Sequence, residues 1–83
     1  MVQIEQIKEQ LIFFLHNEIF DPSIQINADT DLLESGFDSF SLVKLLVFIE
    51  KQYSLQVPED KLNEDTLRNV NQLSELIYAF QEN

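Results

Sequence analysis

The 83-residue chain has no cysteine, a single glycine, two prolines and only five lysines and arginines. Without cysteine there is no disulfide framework, no thiolate metal site and no thiol nucleophile on the protein. So little glycine and proline favours a few long helices over many short strands and turns. One glycine also excludes a glycine-rich phosphate loop. No apolar run approaches the roughly 20 residues that cross a bilayer. The opening MVQIEQIKEQ lacks the basic segment and apolar stretch of a secretory leader, so a cytoplasmic location is expected.

Cations are scarce beside 15 aspartates and glutamates, which gives a formal net charge of −10. Such a surface repels nucleic-acid phosphates and anionic lipid, so neither is expected as a partner. It attracts proteins with basic patches, although the same acidity also serves simply to keep a small protein in solution. Hydrophobic residues make up 45% of the chain, enough to fold rather than remain disordered. Its length suits one small domain over residues 1–83, expected to be monomeric.

From Val2 to Phe20, Ile4, Ile7, Leu11, Phe14, Leu15 and Ile19 recur at three- and four-residue steps, the period of an amphipathic helix. The Asp21-Pro22-Ser23 stretch stops it, because proline disfavours helical geometry before it and donates no hydrogen bond. Residues 21–38 form a connection long enough to suggest a purpose, with Ile24, Ile26, Leu32 and Leu33 available to pin it across the core. Gly36 suits a tight turn with positive φ.

The clearest helix runs from Ser39 to Tyr53, where Leu42, Leu45, Leu46, Ile49 and Tyr53 share one face and Asp38 is a good N-cap. A short turn of helix is expected around Leu62. A last helix follows, capped by Asn69, with Val70, Leu73, Leu76 or Ile77, and Phe80 inward. No stretch alternates like a strand. The expected fold is all-α, a four-helix bundle with three main helices, one short helix and a long loop between the first two.

With Asp38 as the cap, Ser39 is the first helical residue, its hydroxyl at the positive end of the helix where N–H groups favour a phosphate. Phe40, Val43 and Val47 form a second apolar stripe on this helix, displaced from the first. That stripe is either a docking surface or a satellite buried under the loop or the third main helix.

The stretch DTDLLESGFDSFSLVKLLVFIEKQYSLQVPED resembles the carrier-protein family of acyl, peptidyl and D-alanyl carriers. Asp38-Ser39-Phe40 is similar to the family's Asp-Ser-Leu type signature, with Gly36 two residues earlier. DLLESG matches its approach to that signature, LLVFIEKQYSLQVPED the end of its second helix, and TLRNVNQLSELI the start of its last. The resemblance reaches from the first helix to about Phe80.

It implies a covalent 4′-phosphopantetheine arm, taken from coenzyme A, on Ser39. It makes Asp38 a recognition residue for the phosphopantetheinyl transferase and its metal, and Phe40, Val43, Lys44 and Val47 a partner-docking stripe. The implied protein is not an enzyme. It shuttles a thioester-bound acyl or aminoacyl group from a loading enzyme to a downstream acceptor. Phe40 replaces the commoner leucine, and Ser41 and Lys44 stand where fatty-acid carriers usually have acids, with Lys51 diluting the charge further. These departures favour a stand-alone carrier of specialised-metabolite, peptide or D-alanyl type. The alternatives are a fatty-acid-synthesis carrier or an unmodified acidic helical interaction module.

A hydrolase reading of Ser39 with His16 fails, because the nucleophile elbow needs a second glycine after the serine and Asp38 is adjacent to Ser39 rather than facing it. His16 belongs at the boundary of the first helix. DTDLLESG resembles a calcium loop only faintly: Leu33 takes a ligand place and Gly36 comes two positions late, so no metal site is expected.

Overall fold

A computed structural model describes residues 2–81. Three α-helices dominate: α1 (Ile4–Phe14), α2 (Ser39–Tyr53) and α3 (Val70–Gln81), and no strand occurs among the described residues. The expected fourth helix shrinks to a single 3₁₀ turn, Glu59–Lys61, just ahead of Leu62. Pro58 leads into this turn, and no side chain caps its first N–H groups. It gives Leu62 to the core and goes no further.

Helix α1 starts after extended Gln3 and buries Ile7 and Leu11, to which Leu15 adds the next turn. Its end is not α-helical as expected. Residues Leu15–Ile19 widen into a π turn, closed by the Phe20 N–H donating to the Leu15 carbonyl at 2.9 Å. The Asn17 amide donates to the Phe13 carbonyl at 2.8 Å and takes up one of the groups this widening displaces. Pro22 then prevents continuation, and Asp21 accepts from both the backbone N–H and hydroxyl of Ser23. These two bonds, the backbone one second in weight, hold the Asp21 carboxyl below the usual range.

The long connection is pinned as its apolar residues suggest. Phe20, Leu32 and Phe37 are buried and Ile24 and Ile26 half-buried, whereas Leu33 stays outside. Backbone bonds tie it to the front of α3, from Leu32 N–H to the Arg68 carbonyl and from Asn71 N–H to the Ala28 carbonyl. The Asn71 amide adds a 2.7 Å bond to Asp29.

Two turns of this region repeat one device. In Asn27-Ala28-Asp29-Thr30 and in Asn63-Glu64-Asp65-Thr66, the asparagine side chain accepts from the aspartate N–H, and the threonine hydroxyl accepts from the asparagine N–H. Each is an Asx-type turn that satisfies backbone groups locally and delivers a buried leucine, Leu32 or Leu67, into the core.

Helix α2 turns its core face slightly from the expected one. Leu45, Ile49 and Tyr53 are buried as anticipated, but Ser41 joins them while Leu42 and Leu46 are half-buried. In α3, Val70, Leu73, Ser74 and Ile77 are buried, so Ile77 rather than Leu76 holds the inward position. Asn69 caps α3 through the Gln72 N–H at 2.9 Å.

Pairings fix the directions of the helices. Lys44 meets Glu18, Phe48 stacks on Phe14, and the Tyr53 hydroxyl donates to Gln10 at 2.7 Å, so α2 runs antiparallel to α1. Gln81 pairs with both the N–H and the carbonyl of Val2, so α3 is also antiparallel to α1. The α1 and α3 backbones pack closest, while α2 stands further off. Large aromatic spacers explain that gap: the Phe14 and Phe48 rings lie 4.3 Å apart between the helices. No helix among the described residues is long and apolar enough to cross a membrane.

Candidate functional site

The site is built at the junction of the connection and α2. Leu32 and Phe37 anchor the turn that precedes the helix, and between them Gly36 takes φ +111°, a conformation costly for any residue with a Cβ. This reversal lets Phe37 point into the core while Asp38 and Ser39 remain outside.

Asp38 is extended and caps α2, its carboxylate accepting from the Ser41 N–H at 2.8 Å. The Ser41 hydroxyl donates to the same oxygen at 3.0 Å. The backbone bond from Ser41, followed by the hydroxyl, holds the Asp38 carboxyl below the usual aspartate range and keeps it ionised at neutral pH. Ser41 is therefore part of the cap, turned inward. Its lack of charge removes nothing from the outer surface, so the outward loss of acidity rests on Lys44 and Lys51. Sequence reasoning missed this role, although a hydroxyl three residues after an N-cap aspartate is the signal that marks it.

Ser39 opens α2 and is exposed, and the Asp38–Ser41 bonds leave its hydroxyl out. First-turn N–H groups of a helix have no carbonyl one turn back, and the helix dipole adds partial positive charge there. A phosphodiester fits at this hydroxyl. The field favours its charge, and at an exposed residue the phosphate adds to the solvated surface rather than to the core.

Beside Ser39, the second stripe is open to solvent: Phe40 is 65%, Val43 60% and Val47 47% exposed. This excludes the buried-satellite alternative. Phe40 therefore lines no interior cavity between α2 and its neighbours. Lys44 has two contacts that its sequence position did not reveal. Its ammonium donates to the Glu18 carbonyl at 3.0 Å and lies 5.9 Å from the Phe40 ring centroid. A cation at the carbonyl end of α1 is favourable with respect to the helix dipole. His16 is half-buried in the π turn at the boundary of the first helix, and no group of three or more metal-ligating side chains converges among the described residues.

Comparison with known proteins agrees with this geometry. The family described as a phosphopantetheine attachment site matches residues 17–77, from the π turn to Ile77. A D-alanyl carrier protein of Leuconostoc citreum (strain KM20) is 34% identical over 68 residues, covering 81% of this chain and 86% of that protein. A D-alanyl carrier protein of Bacillus subtilis (strain 168) is 34% identical over 74 residues, covering 83% of this chain and 95% of the relative. The chain thus belongs to the carrier proteins that hold a covalent 4′-phosphopantetheine arm and pass thioester-bound acyl or aminoacyl groups between enzymes.

Proposed function

We propose that Ser39 bears the arm and that the cargo is an aminoacyl group of the D-alanyl type. The observation that supports the assignment is the position of Ser39 as the exposed first residue of α2, its hydroxyl outside the Asp38–Ser41 cap. Asp38 holds the turn in shape and is the acid a phosphopantetheinyl transferase reads. Phe40, Val43, Lys44 and Val47 are the surface on which transferase, loading enzyme and acceptor dock in turn. The arm supplies the thiol that carries the cargo as a thioester. The protein itself makes and breaks no bonds; it supplies reach and an address, acting as a cytoplasmic monomer with one domain over residues 1–83.

The cargo assignment is supported by the D-alanyl carrier relatives and by Lys44, which stands where fatty-acid carriers usually have an acid, with Lys51 diluting the charge of the outer part of α2 further. The test is intact mass after incubation with a phosphopantetheinyl transferase, magnesium and coenzyme A, beside Ser39→Ala. Gain of one phosphopantetheine by the original chain alone is expected; equal gain by Ser39→Ala overturns the site. The loaded protein is then offered to a D-alanine-activating ligase with ATP. Failure to gain a D-alanyl group, with charging of a Bacillus subtilis D-alanyl carrier in parallel, overturns the cargo.

A further inference from the structure

Because α2 stands off from α1, an open groove of about 540 Å³ runs between them, and it is not the space between α2 and α3 in which a bundle would enclose a cargo. Phe14 and Phe48 form its stacked floor, Val43 and Val47 one wall, and Lys44, Lys51, Gln52 and Glu18 its polar rim.

Its position relative to Ser39 is what gives it a use. Ser39, Val43, Val47 and Lys51 follow at four-residue steps. Four residues make slightly more than one turn, so this row winds slowly around α2, from the attachment end toward the side that carries Phe48 and faces α1. At about 1.5 Å rise per residue, the row reaches Val43 about 6 Å and Lys51 about 18 Å along the axis from Ser39. A flexible arm of pantoate, β-alanine and cysteamine units leaving Ser39 meets the near end of the groove first.

We infer that the groove between α1 and α2 is the resting place of the arm. Val43 and Val47 cover its apolar pantoate segment, Lys44 faces its first amide, the Phe14–Phe48 floor underlies the cysteamine end, and Lys51 and Gln52 edge the cargo. The inference rests on Ser39 as the attachment residue. The groove is shallow and open, so the arm visits it in rapid exchange rather than being locked there. Val43 and Val47 also belong to the docking stripe. A partner that covers them cannot do so while the arm lies in the groove, so docking frees the thioester at the moment an enzyme is present to use it.

The absence of cysteine makes this testable without altering the chain, since the arm's thiol is the only thiol on the loaded protein. The protein is loaded from coenzyme A, its mass gain confirmed, and the thiol then labelled with a nitroxide. Amide signals are compared before and after the nitroxide is reduced with ascorbate. Strong broadening at Glu18, Val43, Val47, Phe48, Lys51 and Gln52 is expected, and loss of that pattern in Val47→Asp. Broadening spread evenly around Ser39, or concentrated on Val70, Leu73 and Ile77 of α3, overturns the resting place while leaving the carrier assignment intact. Absence of mass gain overturns the attachment residue first, and the two failures are therefore distinct.

Discussion

Replacing Tyr53 by phenylalanine removes one oxygen and tests how α2 is held against α1. The Tyr53 hydroxyl donates to Gln10 at 2.7 Å from a buried ring, and burial pushes its pKa from 10.0 up to about 12. At neutral pH the deletion is expected to cost about 1 kcal/mol, the net value of one hydrogen bond, because Gln10 is half-buried and water can replace the donor. The alkaline limb is more telling. Below pH 10 the phenol is protonated in both folded and unfolded chains and contributes no pH dependence. Between about pH 10 and 12 the unfolded chain ionises while the folded one keeps its proton, so stability falls as pH rises. Two pKa units at 1.36 kcal/mol each set an upper bound of about 2.7 kcal/mol, and solvent reaching the hydroxyl beside half-buried Gln10 brings the expected loss to about 1–2 kcal/mol. For a domain worth about 5–10 kcal/mol this is a large share. Urea unfolding of both proteins from pH 8 to 12 measures it, and subtracting Tyr53→Phe cancels the titration of Tyr78 and the lysines. A difference that stays flat through this window refutes burial of the phenol.

Val47→Asp should change urea stability by no more than about 0.5 kcal/mol while slowing loading by partner enzymes, whereas Ile49→Ala, two residues on but fully buried, should cost about 2–5 kcal/mol. Equal destabilisation by the two would place the stripe in the core. Gly36→Ala meets no atom within 4 Å, so the expected loss of about 1–3 kcal/mol in urea unfolding comes from φ +111° alone. Lys44→Glu is expected to improve use by a fatty-acid synthase partner, but it also puts a carboxylate at the carbonyl end of α1, so Lys44→Met is the control. If both variants raise that activity equally, the added acid has no role in partner choice.

The parts of the site that were legible in the sequence are those governed by local chemistry. Asp38 and Asn69 cap because a short acceptor side chain at a helix start has an N–H two or three residues ahead. Gly36 turns because only glycine takes φ +111° cheaply. The second stripe of Phe40, Val43 and Val47 followed from spacing, but that it faces outward came only with the exposure of its side chains. What was not legible depends on how elements meet. The Lys44–Glu18 contact exists because the start of α2 lies beside the residues that follow α1, and neither it nor the π turn of Leu15–Ile19 is announced by the spacing in either segment. The core face of α2 is centred on Ser41, Leu45, Ile49 and Tyr53 because its neighbours choose which of two apolar edges to cover. Ser41 looked polar and outward until its hydroxyl was seen to bond the cap. The repeated Asn-x-Asp-Thr turns stood in the sequence, but a four-residue repeat without helical or strand period draws no attention until both are seen to end in a buried leucine.

The Gln81 amide, bonded to both polar groups of the Val2 backbone, gives the molecule two poles. The first and last described residues leave from one end of the bundle. Since α2 runs antiparallel to α1, Ser39 opens at the opposite end, beside the π turn that finishes α1. A linker, tag or surface joined at either terminus therefore holds the protein by its back and leaves the serine facing outward. A carrier tethered in this way could swing its working pole between several enzymes without the tether crossing the surface on which they dock.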